Sequence, residues 1–219
     1  MAGPLDAERH AVATACRQLA AAGMVLGTAG NVSARAGELV AITPTGATLA
    51  EMTVELVSVV DLDGAMVAGE LEPTSELDLH LGVYRRYQAG AVVHTHAAAS
   101  TATACVLDEL PCIHYQMLEL GGSVRVAPYA TFGTPELAAN VLDALHGRSA
   151  ALMANHGAIT HAATLDKACE AMALLEWACD VHQRAVALGE PRVMSDAQLE
   201  AVIVAAIERK YGSTRPADR

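Results

Sequence analysis

The chain has 219 residues, 53% of them hydrophobic, and a formal net charge of −11 at pH 7. That length supplies one sizeable core and points to one domain. The charge excludes a nucleic-acid surface, and the absence of a long uninterrupted apolar run excludes a transmembrane helix. Aromatic residues make up only 3% of the chain, so the core has to be built from Ala, Val, Leu, Ile and Met. The opening stretch MAGPLDAERH carries Asp6 and Glu8 and no apolar signal core, which argues against secretion. Five cysteines, odd in number and without a CxxC pair, argue against a disulfide framework and for a reducing, cytoplasmic setting.

Residues 5 to 22 read as an amphipathic helix stopped by Gly23. NVSAR and ELVAIT read as short paired strands that turn at Ala36 and Gly37, and TPTG as a turn punctuated by Pro44 and Gly46. ELVSVVDLDG reads as a further strand ending in a tight turn. Thr74 or Ser75 caps a helix running to Tyr87, which puts Glu76 in the first turn, where the helix dipole favours its charge. AVVH is a strand feeding a helix over 97 to 108, and SVRVA is another strand. Thr134, Pro135 and Glu136 supply the N-cap, first position and acidic first turn of the next helix. AALMAN is a buried strand, residues 164 to 188 carry the longest helical pattern, and Ser195 with Gln198 has capping-box spacing. The end, GSTRPADR, reads as a mobile tail, so the domain is assigned to 1–212 and the tail to 213–219. Strands interleaved with helices indicate a layered α/β domain. Periodicity sets neither strand order nor strand direction.

The stretch AVVHTHAAAS ends a strand on two histidines. Residues i and i+2 of a strand share a side, so His94 and His96 can converge on one ion while Thr95 points away. ALMANHGAI delivers His156 just after another apolar strand, and Gly157 lets the backbone turn away. Three neutral imidazoles leave an open position for a catalytic divalent ion. An HxH pair also occurs without a metal. His10, His80, His114, His146, His161 and His182 read as surface or locally bonded residues, with His80 placed at i+4 from Glu76 as a helical side-chain pair. Glu76 is both the candidate carboxylate and an ordinary helix-start residue. GTAGNVS, TPTG and PTSE carry hydroxyl and amide groups that can ring an anion, or that simply make turns. None is a Walker or dinucleotide fingerprint.

Taken in order, GTAGN, TPTG, PTSE, HTH and NHG resemble the class II sugar-phosphate aldolase/epimerase family over residues 5 to 212. IHYQMLELGG followed by APYATFGTPEL looks like the aldolases of that family rather than its ribulose-phosphate 4-epimerases. The resemblance implies a three-layer α/β/α fold around a central mixed, mostly antiparallel sheet. It implies a zinc-dependent lyase that reversibly splits a ketose 1-phosphate into dihydroxyacetone phosphate and a short aldehyde. His94, His96 and His156 would hold one Zn2+ per subunit. Glu76 would be the fourth metal neighbour at rest and the base once substrate displaces it. The resemblance assigns the substrate phosphate to Asn31, Thr45, Gly46, Thr74 and Ser75, and the aldehyde pocket to Phe132. Tyr115 would reach the site from the adjacent subunit of a cyclic homotetramer and donate a proton to the aldehyde oxygen. Tyr211 would sit on a mobile tail that covers the site. Thr74 stands where these aldolases usually have Ser, which keeps the hydroxyl, and the tail diverges after Tyr211.

The chemistry asks for the same parts. Retro-aldol cleavage needs a polarised carbonyl and a stabilised enediolate, which a divalent ion supplies as a Lewis acid. It needs a carboxylate made basic by dehydration, a proton donor for the aldehyde oxygen, and an anion cradle that positions the reacting atoms. Related proteins use the same metal site as epimerases, decarboxylases or dehydratases, and others keep the fold as interaction modules. Retention of all three histidines and Glu76 favours an enzyme.

Overall fold

The computed structural model describes residues 3–211, so the tail assigned to 213–219 lies outside the described residues. The strands are β1 (Asn31–Ala36), β2 (Leu39–Ile42), β3 (Ser58–Asp61), β4 (Met66–Ala68), β5 (Ala91–Thr95), β6 (Glu109–Leu110), β7 (Val124–Ala127), β8 (Ala150–Met153) and β9 (Gly157–Ala162). The helices are α1 (Asp6–Ala21), α2 (Leu77–Tyr87), α3 (Ala98–Ala104), α4 (Pro135–Ala144), α5 (Leu165–Leu188) and α6 (Asp196–Arg209). One sheet runs in the order β4-β3-β2-β1-β5-β9-β8-β7-β6. Every pairing is antiparallel except that of β7 with β8. This is the mixed, mostly antiparallel sheet that the resemblance implies. None of the described helices is long and apolar enough to cross a membrane.

Strand alternation builds two cores. Val32 and Ala34 of β1 and Ala91 and Val93 of β5 pack with Cys16 of α1 and Met172 of α5. Val92 and Ile159 face the other way, onto Leu81 of α2 and Val141 of α4. The sheet is therefore a middle layer with helices on both faces. The same alternation turns Asn31, Ser33 and His94 toward α2, and β1 pairs with β5 so that Asn31 lies opposite His94. Thr95 points to the opposite face, as expected, where its hydroxyl donates to Met172 Sδ at 3.1 Å.

Several elements differ from expectation. β4, β6 and β9 are strands that the pattern did not mark, and β9 matters most, because the β8–β9 hairpin carries His156 in its loop. The helix after HTH stops at Ala104 rather than 108. Neither Thr74 nor Ser75 caps α2: Glu76 occupies that position with non-helical φ −99° and ψ 24°. The Thr74 hydroxyl instead accepts from the Glu76 backbone N–H at 3.3 Å. The expected caps at Thr134 and Ser195 are formed, the latter as a complete capping box.

His161 lies on β9, stacks on Tyr87 with ring centroids 5.2 Å apart and donates from Nε2 to the Arg148 carbonyl at 3.1 Å. Burial holds its imidazole below the ordinary value of 6.5, against the raising effect of that bond. A group that takes up its proton more readily when unfolded makes stability fall as pH drops below its unfolded value. The melting temperature is therefore expected to decline on acidification from about pH 7 to 5, and His161→Gln to make that decline shallower. A slope indifferent to the substitution would remove His161 from the account.

Candidate active site

A crevice of about 410 Å³ opens where β1, β5 and the β8–β9 hairpin end. Beneath it His94, His96 and His156 meet with ring centroids 4.8 to 5.0 Å apart. One ligand nitrogen from each lies within 4.8 Å of the others. His94 is fully buried and its Nδ1 donates to the Ala158 carbonyl at 2.8 Å. A carbonyl can only accept, so the proton sits on Nδ1 and the Nε2 lone pair faces the site, as in metal-ligating histidines. His96 Nε2 lies 2.9 Å from it.

Two glycines make this approach possible. Gly30 has φ +88°, and a Cβ there would lie 2.9 Å from the His94 carbonyl oxygen. A Cβ on Gly157 would overlap the Thr95 carbonyl oxygen and come within 3.1 Å of the His96 ring.

Glu76, only 6% exposed, is turned onto the histidines. Its Oε2 lies 3.1 Å from His94 Nε2 and accepts from Asn31 Nδ2 at 2.8 Å. Its Oε1 lies 3.5 Å from His156 Nε2 and, though buried, has no hydrogen-bond partner. Burial alone would raise the Glu76 carboxyl. The charge and hydrogen bond of His94, the bond from Asn31 and the charge of His156 together outweigh it and hold the carboxyl well below the usual range. Burial opposes protonation of His94, but the Glu76 charge and its hydrogen bond raise it overall. Burial, then the neighbouring His94 and His156, lowers His96 to about 4. Burial and His94 lower His156 in the same direction. With Nε2 of His94 deprotonated, the three imidazoles can all present lone pairs, and together with the buried Oε1 of Glu76, which has no hydrogen-bond partner, they form a donor set that fits a divalent cation.

The anion side of the crevice is assembled by pairing two loops. Thr45 N–H donates to the Glu72 carbonyl at 3.0 Å, Thr74 N–H to the Thr43 carbonyl at 3.0 Å, and Pro44 bridges to Pro73. Thr45, Gly46, Thr74 and Ser75 thereby line the crevice with Asn31. Phe132 and Tyr129, 67% and 62% exposed, form its apolar rim. None of the described lining residues is Lys or Arg. Tyr115 and Tyr211 are not brought to this crevice. Their hydroxyls lie 3.4 Å apart in a separate groove against α6.

Sequence reasoning missed the layer behind Glu76. His80 is not a surface partner of Glu76; it is fully buried and bonded to Asn31 and Ser33. The backbone keeps the i+4 bond, His80 N–H to the Glu76 carbonyl at 3.3 Å, but the two side chains do not pair: the ring is taken by Asn31 and Ser33 and the carboxylate by Asn31 and His94. Burial first, with Glu76 opposing and His94 reinforcing, lowers His80 to about 3. His182 is buried as well. Asn155 also lines the crevice, with φ +55°, a conformation Asn tolerates; the N before HG was its only signal.

Residues 10–183 match the family described as Class II Aldolase and Adducin N-terminal domain. The chain belongs to the class II aldolase family. It is 37% identical over 205 residues to a 5-methylthioribulose-1-phosphate/5-deoxyribulose-1-phosphate aldolase of Rhodospirillum rubrum, covering 93% of this chain and 92% of that one. It is 37% identical over 191 residues to the L-fuculose phosphate aldolase of Escherichia coli K12, covering 86% and 88%. A solved L-fuculose 1-phosphate aldolase superposes with a TM-score of 0.88 at 34% identity, over 96% of this chain and 99% of that one. The chain is thus an aldolase, a lyase acting on a carbon–carbon bond. Class II aldolases are metal-dependent, and the histidine triad has the donors for the ion.

Gly157→Ala is expected to push β9 away from Thr95, spread His94 and His96, and weaken metal retention by about tenfold or more. Elemental analysis after dialysis reads this directly; full metal retention in the variant would contradict the close-approach argument.

Proposed function

We propose that the chain is a zinc-dependent aldolase that reversibly cleaves a ketose 1-phosphate into dihydroxyacetone phosphate and a short aldehyde, with L-fuculose 1-phosphate and L-lactaldehyde as the first choice. The observation that carries this reading is a three-imidazole cluster with a buried carboxylate at the foot of a crevice walled by hydroxyl and amide loops. His94, His96 and His156 would hold the ion, with Glu76 as its fourth neighbour. An all-nitrogen triad with one carboxylate suits zinc. The bound ion supplies Lewis-acid polarisation of the substrate carbonyl.

The chain's own groups supply the rest. Thr74 Oγ1 accepts from Glu76 N–H, which leaves its hydroxyl hydrogen for a phosphate oxygen. Thr45, Ser75 and the Gly46 backbone complete the cradle; Asn31, also assigned to the phosphate, has both ends of its amide engaged by Glu76 and His80 and lines the crevice beside them. Holding the phosphate fixes the reacting carbons beside Glu76. In cleavage the C4 hydroxyl gives up its proton, to the group proposed below as Tyr115, while the bond between C3 and C4 breaks; the electron pair stays on C3, and Glu76 in its protonated form delivers a proton there. In condensation Glu76 removes that proton again. With His94 and His156 neutral and committed to the ion, the charges that depress Glu76 would be gone, and burial would then raise the basicity of its carboxylate for this exchange.

Tyr115 is proposed to donate a proton to the aldehyde oxygen from the next subunit of a cyclic homotetramer, with Tyr211 covering the site. Support comes from two features: Tyr115 lies outside its own chain's crevice, and α6 buries none of its residues while exposing Ile203, Val204 and Ile207. A cytoplasmic setting suits five cysteines that form no disulfide.

A second substrate reading is favoured by the apolar rim of Tyr129 and Phe132 and by the name of the Rhodospirillum rubrum relative. There the substrate is 5-deoxyribulose 1-phosphate or its 5-methylthio analogue, which release the same three-carbon phosphate and acetaldehyde or its methylthio derivative. Zinc-loaded protein assayed on all three ketose phosphates, with products identified, is expected to yield dihydroxyacetone phosphate and to prefer one substrate. An epimerised or decarboxylated product, or none, overturns the aldolase assignment. His94→Ala is expected to lose bound zinc and cleavage together, and full activity without metal would refute the metal role. A mass in solution of a single chain, with cleavage at full rate, would refute the part given to Tyr115.

A further inference from the structure

Behind Glu76 a line of buried polar groups crosses from α2 to the sheet and back. Tyr84 Oη lies 2.6 Å from Ser33 Oγ, which lies 2.7 Å from His80 Nδ1. His80 Nε2 lies 2.5 Å from Asn31 Oδ1, and Asn31 Nδ2 donates to Glu76 Oε2 at 2.8 Å. Tyr84, Ser33, His80 and Asn31 are all buried, so each group depends on the next for satisfaction.

The hydrogens in this line have one consistent assignment. An ionised carboxylate can only accept, so Asn31 must turn its NH2 to Glu76 and its carbonyl to His80. That carbonyl needs a donor, so the His80 proton sits on Nε2. Nδ1 of the uncharged ring is then an acceptor, so the Ser33 hydroxyl donates to it and Tyr84 donates to Ser33. Every donor points toward Glu76. The opposite tautomer of His80 would call for an Asn31 donor and so turn the Asn31 carbonyl onto the carboxylate, setting two acceptors against each other.

We infer that His80, held in its Nε2–H form with Ser33 bonded at Nδ1, is a positioning residue that locks the Asn31 amide so that it tethers Glu76 Oε2 and leaves Oε1 as the oxygen that exchanges protons with substrate. This rests on Glu76 being the base proposed above. The geometry explains why one carboxylate oxygen is held while the other, equally buried, has no hydrogen-bond partner. The tether crosses a paired register, Asn31 opposite His94, so it moves with the strand that carries the first imidazole.

The test uses zinc-loaded protein and two readouts. Side-chain nitrogen NMR is expected to show neutral His80 with its proton on Nε2, and a mixture of tautomers in Ser33→Ala. Exchange of solvent deuterium into dihydroxyacetone phosphate, without aldehyde, is expected to slow roughly 10- to 100-fold in Ser33→Ala and His80→Leu. Bound zinc and the KM for dihydroxyacetone phosphate should stay unchanged, which separates positioning from loss of the site. His80→Gln places an amide donor near Nε2 and should restore most of the exchange rate. His80 found with its proton on Nδ1, or Ser33→Ala exchanging at the parent rate, overturns the inference even if His80→Leu fails to fold. Glu76→Gln distinguishes the two levels. Full exchange in that variant refutes the base itself, whereas exchange lost there but intact in Ser33→Ala refutes only the positioning line.

Discussion

A carboxylate cannot be buried alone, and the site is organised around that constraint. Removing an ionised group from water costs several kcal/mol unless charges and hydrogen bonds replace the water. Glu76 is replaced on one side by Asn31 and His94 and faces His156 on the other. These partners come from β1, β5 and the β8–β9 loop, three places that only the sheet brings together. A slip of one residue in β1 against β5 would send Asn31 and Ser33 toward α5 while His94 still faced α2, and the constellation would be lost. The apolar alternation that forms the two cores therefore also assembles the site: Val93 seats β5 on one face, and His94 follows on the other.

What could be read from the sequence follows from the same logic. HTH and NHG stood out because imidazoles interrupt apolar strands at their ends, where nothing in a core calls for them. The caps at Thr134 and Ser195 were legible because their chemistry is local. β9 was not, since GAITHA has neither a β-branched run nor strict alternation, and its pairing with β5 is a long-range contact. His80 was misread because spacing placed it beside Glu76 on a helix; its ring instead bonds Ser33 and Asn31 of β1, long-range partners that only packing shows. The mostly antiparallel sheet came from resemblance alone, because strand direction leaves no mark in a periodic pattern.

The charge balance of the crevice carries a second constraint. The chain has a net charge of −11, yet the proposed substrate is an anion and no described lining residue is Lys or Arg. Binding must then come from hydroxyl and backbone dipoles at short range, which act without a cationic side chain. Such a cradle orients a phosphate without adding a fixed cation that would hold Glu76 ionised more firmly than the histidines already do. On the proposed reading, positive charge would come from an ion held by the histidines, apart from the loops proposed to anchor the phosphate.

That division accounts for the asymmetry of the carboxylate. A base that also neighbours a metal has two incompatible duties, since a tightly held carboxylate cannot leave and a loosely held one drifts from the substrate. Tying one oxygen to Asn31 and leaving the other without a hydrogen bond resolves this within a single side chain. If Glu76 is the base proposed above, the tether would keep the group within reach of substrate and the untied oxygen would be the one to take up the proton. The tether is only as firm as the orientation of an amide, which has no intrinsic preference between its two ends. In a protein with few aromatic residues, the buried line from Tyr84 through Ser33 to His80 gives that amide a direction. The fully buried histidine is thus best understood as part of the site, one layer removed from the chemistry, rather than as a core residue that happens to be polar.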